Sequence, residues 1–198
     1  MSNVLFGDCM AAKEARAGGA TPLQGRLLAG SNFPHISGAM KKQYGALFDA
    51  NGAHLVIALE LLGGSRVLSH TPKNLLDVHH WVSNGIPSIS ISHLADAVAP
   101  LSFLALSEAL GVSLRTLHRK KRDQGDTLSV SQGGRTFKFA EVVAKATVVL
   151  GSREAAIKWL TSPAMGLDQQ QPVDLLATPI GTQLVEELLG RIESGVYA

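Results

Sequence analysis

The stretch "LALSEALGVSLRTLHRKKRD", residues 104–123, decides how this chain is expected to fold. Apolar residues recur at helical spacing up to Leu110, Gly111 stops the pattern, and Ser113 is of the type that caps the start of a second helix. Two short helices joined by such a tight turn form a helix-turn-helix, whose second helix enters the major groove of DNA. The stretch therefore predicts this motif.

The second helix of the motif has two different sides. Leu114 and Leu117 are three residues apart and are expected to face the core. The outward side is basic, and its arginines and hydroxyls can reach phosphates or the acceptor edge of guanine. The predicted DNA-binding residues are Ser113, Arg115, Thr116, His118, Arg119, Lys120 and Arg122. The alternative is a solvated basic helix that binds nothing.

The charge of the chain is unevenly distributed, although its net charge is only +2. Residues 113–138 contain seven basic and two acidic residues, a net charge of +5. Residues 151–198 contain three basic and six acidic residues, a net charge of −3. A polyanion is therefore expected to bind the first region and not the second.

The composition is that of a globular protein with an aliphatic core, since 45% of the 198 residues are hydrophobic and 17% are charged. The single Cys9 cannot form an intramolecular disulfide, which favours a reducing compartment. The most apolar run, "GAHLVIALELLGG" at 52–64, is interrupted by Glu60 and is too short to span a bilayer. The first residues lack a signal-peptide pattern. We expect a cytoplasmic protein with no membrane partner.

Helical signals extend over most of the chain outside the motif. Residues 1–36 are rich in Ala and Gly without a sustained period and are interpreted as an extension that the fold does not require. The alternation in "SISIS" at 88–92 could indicate a strand, but we interpret it as helical because no other segment offers a partner strand. Helices are also predicted at 40–62 with a break at "DANG", 74–85, 132–150, 152–160 and 178–195, with a single turn at "PVDLLAT". The predicted fold is all-α.

The last predicted helix and the residues after it raise the question of a partner. One apolar stripe, interpreted as core more than interface, contains Ile180, Leu184, Val185, Leu188, Leu189 and Ile192. The chain then closes with "RIESGVYA", residues 191–198, where Gly195 ends the helix before an aromatic and two small apolar residues. A terminus without a role is usually polar and frayed, so this one is expected to contact a core or a partner.

The sequence offers no constellation typical of catalysis. His79 and His80 are adjacent on a predicted helix and point about 100° apart, so they cannot share one metal ion. Gly63 and Gly64 lack the lysine and the spacing of a phosphate-binding loop. No nucleophile elbow of the G-x-S-x-G type is present. We therefore predict no catalytic residue, no metal and no cofactor, and a protein that is not an enzyme.

Residues 151–198 resemble the toxin-binding domain of the Xre/MbcA/ParS antitoxins, partners of RES-type toxins in bacterial type II toxin–antitoxin systems. The stretch from about Leu61 to Ala146, with "NGIP" and "RTLHRKK", is similar to the Xre-like helix-turn-helix region of that group. The sequence departs from the family at "DQQQ", 168–171, where a glycine-rich turn is common, and at Ala164, where Asn is frequent. The positions that carry the first resemblance are Gly151, Ala155, Ala156, Trp159, Leu160, Pro163, Pro172, Asp174, Leu175, Leu176, Thr178, Gly181, Arg191, Ile192, Gly195 and Val196.

The resemblance implies an Xre-like helix-turn-helix domain at 37–146, a small helical toxin-binding domain at 147–198, and an N-terminal extension at 1–36. In this family the C-terminal end of the antitoxin enters the NAD-binding cleft of the toxin, which degrades NAD or transfers ADP-ribose. The residues implied to bind the toxin are Arg191, Gly195, Val196, Tyr197 and Ala198.

The implied partners are a cognate RES-type toxin, operator DNA for autoregulation, and a second copy of the chain, as a homodimer within a hetero-oligomeric complex. An alternative is a helix-turn-helix transcription regulator without a toxin partner, whose last domain serves for dimerisation.

Overall fold

The computed structural model of the chain describes residues 38–122 and 125–196, so the predicted extension at 1–36 lies outside the described residues. The described residues form eleven α-helices and two 3-10 turns, with isolated bridges as their only β-pairing, which confirms the predicted all-α fold. The helices are α1 Gly38–Gln43, α2 Gly45–Asn51, α3 Ala53–Leu61, α4 Leu75–Ser83, α5 Ile89–Ala97, α6 Phe103–Leu110, α7 Leu114–Arg122, α8 Val130–Leu150, α9 Arg153–Leu160, α10 Pro172–Leu175 and α11 Pro179–Glu193, and the 3-10 turns are Gly64–Arg66 and Met165–Leu167.

Helix α8 is the centre of the fold. It begins at a capping box, in which the Ser129 hydroxyl accepts from the backbone N–H of Gln132 while the Gln132 side chain accepts from the N–H of Ser129. It ends at Gly151, whose φ of 85° is in the left-handed region. Between these ends it contacts α3, α4, α6, α9 and α11. One continuous helix therefore connects the two predicted domains, whose predicted boundary falls inside it.

The helices before the motif pack around α8 and support it. Helix α3 is buried on nearly every side and makes the most extensive contact with α8. Gly52, with a φ of 83°, separates it from α2 at the break predicted from "DANG". Asn74 caps α4 by accepting from the backbone N–H of Asp77 at 2.9 Å.

The "SISIS" segment is helical from Ile89 onward, in α5, with Ser88 at the N-cap, as interpreted from the sequence. Its neighbouring residues Ser90 and Ile91 are both buried, so the alternation of the sequence does not separate a wet face from a dry one. The N–H of Leu128 donates to the carbonyl of Ile86 at 2.8 Å, which returns the chain after α7 to the start of α5. The N–H of Ser88 likewise donates to the carbonyl of Asp126 at 2.8 Å, so the segment before α8 pairs with the residues before α5.

The C-terminal helices begin and end at the residues that the sequence predicts. Ser152 caps α9, and Thr178 caps α11 by accepting from the N–H of Gly181 at 3.0 Å. Gly181 sits directly on the backbone carbonyl of Leu175, where a Cβ atom would collide with it. This close approach holds α10 against α11, and α11 in turn packs on α8.

Two predictions of burial are wrong. Within the apolar stripe of α11 only Val185 and Leu189 are fully buried, whereas Ile180 is 75% exposed and Leu184 is 45% exposed. Helix α11 lies on the outside of the fold, so its neighbours cover one side of it. Leu114 is 39% exposed although Leu117 is fully buried. The contacts that α7 makes with α5 and α6 cover the side of Leu117 and leave the first residue of the helix outside.

In the ranges that the structure describes, no helix combines the length and the hydropathy needed to cross a bilayer.

Candidate functional site

The helix-turn-helix consists of α6, a tight turn and α7. Gly111 adopts a φ of 63°, and its N–H donates to the carbonyl of Glu108 while the N–H of Val112 donates to the carbonyl of Ser107. These two bonds form a Schellman motif, which requires a residue with positive φ. The guanidinium of Arg135 on α8 lies against Gly111, where a Cβ atom would collide with it. The turn is therefore fixed by its own backbone, and the Arg135 side chain lies beside it.

Two hydroxyls occupy the N-terminus of α7. The Ser113 Oγ accepts from the backbone N–H of Thr116 at 3.2 Å and lies 2.9 Å from the Thr116 Oγ1. One hydroxyl donates to the other, so the hydrogen of the remaining hydroxyl stays available to an acceptor. A phosphate at the helix N-terminus would supply that acceptor.

The basic face of α7 consists of Arg115, Arg119 and Arg122, all of them exposed. Their spacing of four and three residues places them within about 60° of one another around the helix, opposite the buried Leu117. Within 38–122 and 125–196, no carboxylate forms a salt bridge with any of the three. The face therefore presents three uncompensated guanidinium groups to an external anion.

The remaining predicted DNA-binding residues have other surroundings. The exposed imidazole of His118 stacks on the ring of Phe103 in α6, with ring centroids 5.0 Å apart and an interplanar angle of 14°. His118 therefore also holds α6 and α7 together. Lys120 lies in α7 with the others. The structure thus brings all seven predicted residues to one short helix and its first turn.

A second exposed surface lies on the outer side of α11. Ile180 and Leu184 are four residues apart and share one side of the helix, and Leu188 continues it as a half-buried residue. The 3-10 turn that packs on α11 adds Met165, which is 83% exposed. Its neighbour Gly166 approaches Leu188 so closely that a Cβ atom would lie 2.7 Å from Leu188 Cδ1. Ile180, Leu184 and Met165 are named here the outer apolar face.

The sequence reasoning missed this face because it assigned the whole stripe to one environment. Ile180 and Leu184 lie about 100° or more around the helix from Val185 and Leu189, a separation that the helical period of 3.6 residues already contains. The stripe is thus too wide for one neighbouring helix to cover. Its angular width could therefore have indicated, from the sequence alone, that part of it is exposed.

A Schellman motif ends α11. Gly195 has a φ of 71°, its N–H donates to the carbonyl of Ile192 at 3.1 Å, and the N–H of Val196 donates to the carbonyl of Arg191 at 2.9 Å. Val196 is 59% exposed, and Arg191 is half-buried beside it at a shallow surface depression. The motif fixes the direction of the chain up to Val196. The predicted toxin-binding residues Tyr197 and Ala198 lie outside the described residues.

The loop at "DQQQ" adopts the backbone of a glycine-rich turn without containing glycine there. Asp168 and Gln169 have φ angles of 51° and 62°, the only positive values among non-glycine residues in the described part of the chain. The N–H of Ala164 donates to the carbonyl of Gln170 at 3.0 Å and closes the loop. The two left-handed residues store strain in the loop that adjoins the outer apolar face.

The part of the chain that the structure describes contains no group of three or more metal-ligating side chains close enough to hold an ion. The rings of His79 and His80 are 5.8 Å apart and tilted by 58°.

Family models match two successive segments of the chain. The model described as an antitoxin Xre-like helix-turn-helix domain matches residues 77–141, which include α6 and α7. The model described as an antitoxin Xre/MbcA/ParS C-terminal toxin-binding domain matches residues 145–195, which include α9 to α11. The two matches meet inside α8.

Curated relatives carry the name Antitoxin Xre. The protein from Pseudomonas putida is 38% identical over 85 residues, which cover 42% of this chain and 52% of the relative. The protein from Yersinia enterocolitica is 32% identical over 91 residues, which cover 46% of this chain and 61% of the relative. The chain thus spans between half and two thirds of the length of these relatives.

Among solved structures, the M. tuberculosis MbcT–MbcA toxin–antitoxin complex contains a similar chain, with a TM-score of 0.42 and 20% sequence identity over 56% of this chain and 96% of that one. The assignment rests instead on the two domain matches and on the named relatives, which agree with each other and with the order of the helices. Together they support an antitoxin of the Xre/MbcA/ParS type.

Proposed function

We propose that this protein is an antitoxin that neutralises a cognate RES-type toxin, an enzyme that consumes NAD or transfers ADP-ribose, and that binds operator DNA to regulate its own synthesis. The observation that carries the proposal is the match of residues 145–195 to a toxin-binding domain whose outer side exposes apolar residues. In this proposal the protein is not an enzyme and acts in the cytoplasm as a homodimer within a larger complex with the toxin.

The DNA-binding part of the proposal rests on α7. Its three exposed arginines face away from the core, and each can bind a phosphate or the O6 and N7 atoms of guanine with its planar fork. The hydroxyls of Ser113 and Thr116 lie at the helix end that favours phosphate. Ser113, Arg115, Thr116, His118, Arg119, Lys120 and Arg122 are the proposed DNA contacts.

The toxin-binding part rests on the outer apolar face and the C-terminal end. Contiguous exposed apolar side chains often mark a surface that a partner covers. Arg191 and Val196 continue from this surface toward the end of the chain. Contacts of the face would supply affinity, while the end of the chain would occupy the cleft that binds NAD.

The Schellman motif at Gly195 fixes the direction of the chain up to Val196. In this proposal Tyr197 offers a ring that can pack in a nucleotide cleft. The proposed toxin-contacting residues are Arg191, Gly195, Val196, Tyr197 and Ala198. The chain end would compete with NAD and perform no chemistry itself.

The test is NAD consumption by the purified toxin, titrated with the full chain and with a chain that ends after Ser194. The shortened chain keeps every buried residue of α11, so its melting temperature and its DNA affinity should equal those of the full chain. It should still associate with the toxin through the outer apolar face, but NAD consumption should continue. Equal inhibition by both chains would contradict the insertion of the C-terminal end.

Co-expression with the product of the neighbouring gene separates this proposal from a regulator that has no toxin. A stable complex that is isolated with the full chain supports the antitoxin. DNA binding without any complex would instead favour the regulator.

A further inference from the structure

A pocket of about 210 Å³ lies between the helix-turn-helix and the C-terminal helices, and none of its lining residues is a proposed DNA or toxin contact. One wall comes from Ala109 on α6 and from Arg135, Phe139 and Val142 on α8. The opposite wall comes from the loop before α11 and from the first turns of α11 itself. A drug-sized ligand occupies about 300–1,000 Å³, so this pocket suits a smaller molecule.

The charges around the pocket leave one cation available. Lys138 is already paired, because its Nζ lies 2.7 Å from Glu186 Oε1 and 3.0 Å from Glu141 Oε2. These two carboxylates raise the pKa of Lys138 against the opposing effect of its burial. Arg135 lies at the pocket and is exposed, and it forms no salt bridge with any residue in the described ranges. Within the described residues, Arg135 is therefore the lining cation that is available to pair with an anionic group of a ligand.

The polar side chains of the other wall are satisfied. The Thr178 Oγ1 accepts from the N–H of Gly181, and the Thr182 Oγ1 donates to the carbonyl of Thr178 at 3.0 Å. Gln183 also lines this wall, and its Nε2 donates to Glu187 Oε1 at 2.9 Å. The largest apolar members of the lining are Phe139, Val142 and Leu176. The body of the ligand should therefore be apolar, with its only polar group directed at Arg135.

We propose that this pocket binds a small amphipathic monocarboxylate, with its carboxylate on the Arg135 guanidinium and its aliphatic or aromatic body between Phe139, Val142 and Leu176. A guanidinium binds a carboxylate through two parallel hydrogen bonds. A phosphate dianion fits less well, because the single guanidinium of Arg135 balances only one of its two charges.

The position of Arg135 places the pocket between the turn of the helix-turn-helix and α11. Its guanidinium lies against Gly111 in the turn of the helix-turn-helix, and the pocket wall that faces it belongs to α11 and the loop before it. A bound carboxylate would connect these two parts of the molecule. Occupancy should therefore raise the melting temperature of the chain.

The experiment titrates the full chain with hexanoate and with benzoate, observed by backbone amide NMR shifts and by thermal melting, with hexanamide as the uncharged control. Hexanoate should bind saturably with a Kd on the order of 1 mM and raise the melting temperature. Arg135→Gln should weaken binding about tenfold or more, and Arg135→Lys should restore part of it. Ala177→Trp, an exposed lining position, should block the pocket.

Arg66→Gln removes an exposed arginine elsewhere and is the matched control, expected to bind as the wild type does. Four results would overturn the proposal: no saturable shift with either carboxylate, equal binding of hexanamide, unchanged binding in Arg135→Gln, or an equal loss in Arg66→Gln. The titration needs neither toxin nor operator, so its failure is distinct from a failure of the proposed function.

Discussion

At the scale of single residues, the exposed arginines of α7 are the simplest to interpret. Arg119 lies between Arg115 and Arg122 on the basic face and forms no salt bridge within the described residues. It contributes nothing to the core, so its replacement tests DNA binding with little effect on folding.

Arg119→Ala should weaken operator binding by about 1–3 kcal/mol if the side chain contacts a base, or lower the salt slope by about 0.9 if it contacts only a phosphate. Gel-shift titrations at several salt concentrations separate these outcomes. Arg153→Ala, which removes an exposed arginine from α9, is the control and should leave the affinity unchanged. Unaltered affinity in the double variant Arg115→Ala, Arg119→Ala would show that α7 does not read DNA.

The left-handed backbone at Gln169 leads to a prediction about stability. Gln169→Gly should raise the free energy of unfolding by about 0.5–1 kcal/mol, because the relief of strain exceeds the added entropy of the unfolded chain. Gln171, two residues on, has a φ of −75°, so Gln171→Gly should lower the stability instead. Urea denaturation of both variants provides the measurement, and a loss of stability in Gln169→Gly would contradict the interpretation of strain.

At the scale of elements, the capping residues made the helices predictable. Asn74, Ser152 and Thr178 each cap the helix that the sequence assigns to them, since a cap is a local property of the chain. The exposure of Ile180 and Leu184 was only partly predictable, since the width of the stripe indicates that one contact cannot cover it but not which side stays exposed. A hydrophobic period shows which residues share a side of a helix, but the neighbours that cover that side are determined by contacts distant in sequence.

Two leucines of α11 distinguish the apolar residues that stabilise the core from those proposed to bind the toxin. Leu189→Ala should cost about 2–5 kcal/mol of stability, because Leu189 is fully buried. Leu184→Ala should cost less than about 1 kcal/mol of stability, because the side chain is 45% exposed, but should weaken binding of the toxin by about 1–2 kcal/mol.

Denaturation and calorimetric titration of the two variants provide these quantities. The same substitution at both positions controls for the loss of leucine itself. Unchanged toxin affinity in Leu184→Ala would remove the outer apolar face from the proposed interface.

At the scale of the whole molecule, α8 contacts helices of both domains that the sequence predicts. The order and type of the helices follow from local signals, and the helix-turn-helix was predicted from residues 104–123 alone. The pocket beside Arg135 was not predicted, because its walls come from α6, α8 and α11, and no local pattern brings these together. The boundary between domains at 146 and 147 stays a prediction.

The imidazole of His54 is a partly buried titratable group whose pKa depends on residues of α8 and α11. It lies on α3, and burial lowers its pKa below the usual 6.5, with smaller effects from Glu141, Lys145, Glu193 and Glu186 of α8 and α11. The folded state therefore binds fewer protons than the unfolded state. The stability that the neutral imidazole contributes is fully present above pH 6.5 and is lost as the pH falls below it.

The free energy of unfolding should therefore decrease between about pH 7 and pH 5, and the decrease should be smaller in His54→Gln. Chemical denaturation across this range provides the measurement. His70→Gln, an exposed histidine outside these contacts, should follow the wild-type profile. Identical profiles for His54→Gln and the wild type would show that burial of this imidazole contributes nothing to the acid response.

The continuity of α8 has a consequence for how such proteins can diverge. The two family matches meet between residues 141 and 145, where the chain is helical, so the junction has a rotational phase that a flexible linker would lack. One inserted residue turns everything beyond it by about 100° and advances it by about 1.5 Å. Recombination between relatives is thus constrained by residue count: a single insertion here redirects the arginines of α7 relative to α11, whereas about seven residues nearly restore the phase.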